Sequence, residues 1–245
     1  MIDILNAHRQ GQICYNLFQF HRDYSKIEMN YIIRRMQDKD IPQALEIDHE
    51  AFPTQWPNST YSSIKHELRN RLAHYLVAAK PLEPRQEMGN PADDHNFWHR
   101  LLQLKHLFDH DRFFGEEKPP PTTDYLVGIA GFWIMLDEAH IITIATRGTC
   151  RRQGIGELLL ISVIDMAIQL KANTVTLEVR VSNMPAQALY EKYGFQKVGL
   201  RRRYYSDDGE DAFIMTVEDI NSTPFQTLFQ QLKEADRKER AELYA

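Results

Sequence analysis

The run Cys150-Arg151-Arg152-Gln153-Gly154-Ile155-Gly156-Glu157-Leu158-Leu159 follows an apolar stretch, Ile141-Ile142-Thr143-Ile144-Ala145, and opens a second, longer one. Two arginines and two glycines thus stand where a strand gives way to a helix. A helix entrance exposes N–H groups that lack intrahelical acceptors and carries the positive end of the macrodipole, so it suits a phosphate. The glycines let the backbone come close, and the arginines supply bidentate donors. The run reads as a diphosphate cradle. A P-loop would place Lys-Ser or Lys-Thr after the second glycine, where Glu157-Leu158 stand. A dinucleotide turn would place a third glycine or alanine where Leu159 stands. What remains is R-x-x-G-x-G, carried by Arg151, Gly154 and Gly156.

Downstream, the nearly continuous apolar run from Ile155 to Leu170 predicts a helix pressed against a sheet, closed by Lys171-Ala172-Asn173. Val175 to Val181 alternates with period two, Val175, Leu177, Val179 and Val181 on one face and Thr176, Glu178 and Arg180 on the other. Taken alone, Glu178 is a residue of a solvated face or an ion-pair partner of Arg180. Asn183 is placed to cap a further helix with Pro185 in its first turn. Ala186, Leu189, Tyr190 and Tyr193 recur at helical spacing, which puts Tyr190 on the packed face as an ordinary core aromatic. Gly194 is the C-cap and Phe195 its hydrophobic contact. A hairpin follows, with Tyr204-Tyr205, a turn at Ser206 to Gly209 and a strand over Ala212 to Val217. Upstream, Asp40 reads as the N-cap of a helix containing Ile41, Leu45 and Ile47, and Tyr61 to Leu72 as a second helix.

These blocks, in this order, resemble the GNAT acetyltransferases, and from Glu138 to Met215 the RimI-type enzymes that modify the N-terminal alanine of a small-subunit ribosomal protein. The matching pieces are Ile144-Ala145, Arg151 to Gly156, Leu177-Glu178-Val179-Arg180, Ser182-Asn183, Ala188-Leu189-Tyr190-Glu191, Gly194-Phe195, Arg202-x-Tyr204-Tyr205 and Glu210-Asp211-Ala212. Asp40-Ile41, Ala51-Phe52-Pro53 and Trp56 extend the likeness more weakly, so that it covers residues 31–80 and 124–220. The resemblance implies an α/β (α+β) GNAT fold: a mixed, mostly antiparallel central sheet flanked by helices and splayed between strands 4 and 5. Acetyl-CoA would lodge in that wedge as co-substrate, with no metal. It also implies roles. Acyl transfer from a thioester to an amine requires deprotonating the ammonium, stabilising an oxyanion and protonating the departing thiolate. Glu178 matches the family's general base, with desolvation expected to raise its pKa, and Tyr190 matches the general acid. Asn183 matches a cofactor-binding residue. Ile144, Ala145 and Thr146, together with Arg152, Gln153, Gly154, Ile155, Gly156 and Glu157 after Arg151, match the cofactor-contacting segments, a backbone N–H near Ile144 to Thr146 polarising the thioester. Phe52, Trp56, Tyr204 and Tyr205 either flank a peptide acceptor or simply pack. Arg147-Gly148-Thr149-Cys150 replaces an acidic-proline-aromatic approach, and Glu157 stands where a base is common; its side chain is expected to point away from the diphosphate.

The chain has 245 residues, 43% hydrophobic and 26% charged, with a formal charge of −5. That composition fits a globular protein and gives no reason to expect direct nucleic-acid binding. Its two cysteines suggest no disulfide framework. No signal-like leader and no apolar run of about 20 residues points to a membrane, so the expected compartment is the cytoplasm. Residues 1–30 read as a poorly ordered or peripheral extension and 31–220 as the acetyltransferase domain. Residues 81–123 are an insertion with Pro-rich flanks and an amphipathic helix over 95–110, and 221–245 a C-terminal helix with a charged, solvated tail. The pairs His95/His99 and His106/His110 read as a wet helix face rather than metal ligands. The expected partner is a protein or peptide N-terminus, the ribosomal one included, with oligomeric state left open. Lysine side chains or small-molecule amines are the alternative acceptors, and a non-catalytic CoA-binding scaffold is the reading from another class.

Overall fold

The computed structural model describes residues 31–54, 59–81 and 124–243. Expectations for residues 1–30, for Trp56 and for most of the insertion with its helix and histidine pairs lie outside the described residues. The strands are β1 (Ile32–Arg35), β2 (Ala73–Pro81), β3 (Asp124–Met135), β4 (Glu138–Thr146), β5 (Thr174–Arg180), β6 (Gln196–Arg201) and β7 (Ala212–Val217). The helices are α1 (Ile41–Ala51), α2 (Tyr61–Glu67), α3 (Ile155–Gln169), α4 (Met184–Lys192) and α5 (Thr223–Leu243). The strands form one sheet in the order β1-β2-β3-β4-β5-β7-β6, antiparallel except where β4 meets β5. This is the mixed, mostly antiparallel sheet that the resemblance implied.

The parallel ladder is short. Glu138 to Ile141 pair with Thr174 to Leu177, and there the pairing stops. Beyond it β4 stays bound to β3 as far as Thr146, while β5 stays bound to β7 as far as Arg180. The sheet is therefore splayed between its fourth and fifth strands, and Glu178 is the first β5 residue past the last pair.

Helix α3 is apolar nearly all round because it is buried between the sheet and other helices: Ile155, Leu159, Leu160, Ile161, Val163 and Ile164 are within the core. Gly128 on β3 permits that packing, since a Cβ there would stand 3.0 Å from Ile155 Cγ2 and Leu159 Cδ1. A second cluster, Ile41, Ala44 and Ile47 of α1 with Val77, Leu126 and Ile129, fills the other face.

Three local expectations are corrected. Asp40 precedes α1 but does not cap it with its side chain; the buried carboxylate instead takes two hydrogen bonds from Arg34, at 2.5 and 2.9 Å, and the Gln37 N–H at 2.8 Å. Helix α2 ends at Glu67 rather than Leu72, because the Asn70 side chain accepts the Leu72 N–H (3.1 Å) and turns the chain into β2. The charged end of α5 is exposed over most of its residues, as expected of a solvated tail, but one face of it is not. Asp236 and Arg240 are buried, and Lys233 bridges to Asp165 of α3 at 2.7 Å. Among the described residues, no helix is long and apolar enough to cross a membrane.

Candidate active site

Glu178 stands at the apex of the splay with a side chain only 6% exposed, so the strand face on which it lies is not solvated. Its Oε2 is 2.7 Å from His140 Nε2 and its Oε1 is 3.1 Å from Arg201 Nη2. The register explains the first contact: His140 pairs with Thr176 across the parallel ladder, two residues short of Glu178 and on the same face. Arg201 ends β6 and reaches in across β7. The expected rise in the Glu178 pKa is overturned. Burial does push the carboxyl up, but the His140 hydrogen bond and the charges of His140 and Arg201 outweigh it, leaving the group below its ordinary value. His140 moves the other way: its hydrogen bond to Glu178 raises it against the effect of burial. With Glu178 ionised, the His140 Nε2–H is the donor, and the basic lone pair of the couple sits on the imidazole.

The loop between β6 and β7 delivers the tyrosines. Tyr204 and Tyr205 meet edge to face with ring centroids 5.2 Å apart. Burial and then the negative charge of Glu178 raise Tyr204. Tyr205 is pushed up to about 12, first by burial. Tyr190, on α4 and packed against the core beside Phe195 (5.7 Å), is raised well above the ordinary phenol value by burial and then by Tyr205. A phenol so raised keeps its proton at neutral pH. Glu178, Tyr204, Tyr205 and Tyr190 therefore form one electrostatically connected group.

Arg180 organises the same loop. Its guanidinium holds Asp207 at 2.7 and 2.8 Å, Asp208 at 2.9 Å and Glu210 at 2.9 Å. It also lies 3.8 Å over the Tyr205 ring. Several charge-assisted bonds and a cation over an aromatic face thus converge on one side chain. Asp207 also takes the Thr54 hydroxyl, joining this loop to the segment after α1. Phe52 in that segment is half-buried against the second core cluster; Trp56 lies outside the described residues.

The predicted cradle lies at the start of α3. Arg152 and Gly154 both have left-handed backbones, φ 63° and 72°. The peptide planes therefore alternate in direction before the helix begins. The N–H groups of Ile155, Gly156 and Glu157 have no carbonyl one turn back within the helix. Gly156 opens onto free space, whereas Ile155 buries its side chain and offers only backbone. Arg151 and Arg152 are exposed. Gln153 is held by the Tyr31 hydroxyl, which donates to its Oε1 at 2.8 Å. Glu157 is turned aside as expected: Lys192 Nζ and the Tyr193 hydroxyl each donate to its Oε1 at 2.6 Å, which neutralises the charge. The divergent approach is anchored on α1, with Arg147 bonded to Glu46 (2.7 Å) and the Gly148 N–H to Glu50 (2.6 Å). These residues fit a diphosphate: open backbone donors, two exposed guanidinium groups and a nearby carboxylate that is already paired.

Ile144, Ala145 and Thr146 lie on the stretch of β4 that is unpaired towards β5, so alternate N–H groups there face the wedge. Asn183 caps α4, its Oδ1 accepting from the Ala186 N–H at 3.3 Å. An asparagine amide carries two further N–H donors on its NH₂. His140 and Arg201 were not singled out from the sequence. The signal for His140 was its place in the alternation of β4, opposite the strand that carries Glu178; Arg201 has no local signal, since only the β6–β7 pairing brings it in.

The sequence pattern of the Acetyltransferase (GNAT) family matches residues 79–195. A protein of Bacillus subtilis (strain 168), bearing the provisional name ribosomal protein bS18-alanine N-acetyltransferase, is 36% identical over 186 residues, which is 76% of this chain and 93% of that one. An N-alpha-acetyltransferase of Sulfolobus acidocaldarius is 30% identical over 78% of this chain and 94% of its own length. The crystal structure of the ribosomal-protein-S18-alanine N-acetyltransferase from Escherichia coli shares the fold, with a TM-score of 0.53 at 24% identity, over 77% of this chain and 94% of that one.

Proposed function

Since this chain belongs to the GNAT family and is an N-acetyltransferase of a family that uses acetyl-CoA, we propose that its acceptor is the α-amine of a protein N-terminus. The observation that carries this reading is Glu178 at the apex of the open wedge, hydrogen-bonded to His140 and electrostatically joined to Tyr204 and Tyr205. The archaeal relative is named as an N-alpha-acetyltransferase, and the name of the Bacillus subtilis relative gives alanine of ribosomal protein bS18 as the acceptor.

In this reading the thioester enters between β4 and β5 and the acceptor approaches past the β6–β7 loop. His140, oriented and made more basic by Glu178, takes the proton from the ammonium, directly or through one water. A free N–H among Ile144, Ala145 and Thr146 donates to the carbonyl oxygen as charge builds on it. The Tyr190 phenol, held protonated by burial, gives its proton to the sulfur as the C–S bond breaks. The cradle from Arg151 to Glu157 holds the diphosphate. The acidic residues Asp207, Asp208 and Glu210 of the β6–β7 loop are each paired with Arg180, which leaves less free negative charge there for a polyamine.

Incubation with labelled acetyl-CoA and short peptides beginning with alanine or serine tests the acceptor. Label should appear on the α-amine and be absent from an α-acetylated control that carries an internal lysine. Label on the lysine of that control would overturn the proposal in favour of side-chain acetylation. Arg180→Ala should loosen the loop that flanks the acceptor and raise the peptide KM about tenfold, with coenzyme A affinity retained. An unaltered peptide KM would assign the Arg180 cluster to scaffolding alone.

A further inference from the structure

Helix α5 lies beyond the residues matched by the family pattern, yet it ends directly behind the cradle. Phe229 is buried edge to face against Tyr193 at 6.2 Å, and Lys233 is bonded to Asp165 of α3. One turn further, Asp236 and Arg240 form an ion pair at i, i+4 with side chains 10% and 4% exposed. Arg240 directs Nε and Nη2 to Asp236 at 2.7 to 2.9 Å, and the same Nη2 donates to the Gly154 carbonyl at 2.7 Å. The charges of both residues reach Tyr193, which holds Glu157 in the first turn of α3. The contact is intimate: a Cβ on Gly154 would stand 2.9 Å from Arg240 Nη2.

We propose that Arg240 is a positioning residue for acetyl-CoA, holding the Gly154 carbonyl from behind so that the amide on the other side of the same peptide faces the diphosphate. The inference rests on the diphosphate reading of residues 151–157. Gly154 C=O and Ile155 N–H share one trans peptide unit and point in opposite directions. A donor that fixes the carbonyl on the inner side therefore aims the N–H on the outer side. The Gly154 carbonyl also accepts the first helical bond, from the Leu158 N–H at 3.0 Å. Two donors on one acceptor polarise the peptide and strengthen its N–H. Asp236 neutralises the guanidinium, so Arg240 acts by geometry and polarisation and not as a free positive charge. A buried, paired arginine is suited to this because its planar fork serves the carboxylate and the carbonyl together, which an ammonium does not.

The test compares the wild type with Asp236→Leu/Arg240→Met, in which the buried pair is replaced by apolar side chains, a change that often preserves stability. Arg240→Lys is the second variant, retaining the charge and the pairing with Asp236. Coenzyme A binding is measured by calorimetry, and KM and kcat are measured with acetyl-CoA and with S-acetylpantetheine, which lacks the diphosphate. The double variant should bind coenzyme A about tenfold more weakly, the scale of one hydrogen bond to a charged donor. The effect should fall on KM for acetyl-CoA, with no change for S-acetylpantetheine, and Arg240→Lys should give an intermediate loss. Equal coenzyme A affinity in either folded variant, or an equal loss with both acetyl donors, would overturn the positioning role alone. A wild type that takes up no coenzyme A would overturn the diphosphate reading and the positioning role together.

Discussion

Replacing Glu178 by glutamine is expected to lower kcat for acetyl transfer by on the order of 10²- to 10⁴-fold, the range of general-base catalysis, with coenzyme A affinity nearly intact. Glutamine keeps the size of the side chain and can still accept from the His140 Nε2–H, so the wedge should keep its shape. What it loses is the negative charge that makes His140 a stronger base. The pH dependence carries the sign. His140 is raised above the ordinary value of 6.5 chiefly by its bond to Glu178, so the wild-type kcat should rise with pH through a midpoint above that value, as the imidazolium gives up its proton. In Glu178→Gln the carboxylate's charge is gone and that of Glu138 is the raising charge left, while burial and Arg201, which lower His140, remain. The midpoint should therefore move to lower pH, and the plateau should be much lower. The acceptor amine titrates identically in both proteins and drops out of the comparison. A variant with wild-type kcat and an unmoved profile would remove the His140–Glu178 couple from catalysis.

Tyr190→Phe should slow the reaction on the order of 10²-fold, the lower end of what loss of a general acid costs. Phenylalanine preserves the ring and its contact with Phe195, so the folded state should change little. Burial holds the Tyr190 phenol well above its ordinary pKa. It therefore stays protonated at any pH at which the enzyme works, and its job is to donate as a thiolate departs. Stopped-flow detection of free thiol in single turnovers separates this step from substrate binding, and the KM for either substrate should not change. Wild-type thiol release in the variant would make Tyr190 a packing residue.

The features legible in the sequence are those whose signals are local. The Gly154-Ile155-Gly156 entrance, the period-two run with Glu178 and the Asn183 cap were visible because each is written in consecutive residues, and the structure has a helix beginning at Ile155, Glu178 on β5 and Asn183 capping α4. The resemblance then supplied the mixed, mostly antiparallel sheet and the splay between its fourth and fifth strands, which local patterns leave undetermined. The environment of Glu178 was not legible. Its partners sit 38 residues upstream and on a strand that reaches it only across β7, so the direction of its pKa depended on register. The one buried face at the end of α5 was hidden for a related reason. A run of charges looks solvated until a pair such as Asp236 and Arg240 satisfies itself one turn apart and becomes compatible with burial. Asp40 showed the same effect on a smaller scale: a standard capping residue in the capping position, whose carboxylate is claimed by Arg34 and the Gln37 N–H just upstream.

The length of the seam between β4 and β5 acts as a depth gauge. Four register pairs join the two halves of the sheet, Glu138 to Ile141 with Thr174 to Leu177. One more pair would zip Ile142 to Glu178, tying up amides that now look into the gap and closing the floor over the carboxylate. Two fewer would unpair His140 from Thr176 and leave the imidazole without a fixed distance to its partner. How far an acyl group can slide in before it meets a proton acceptor is thus counted in whole residues, so a shift of strand alignment would alter reach in steps of about 3.3 Å.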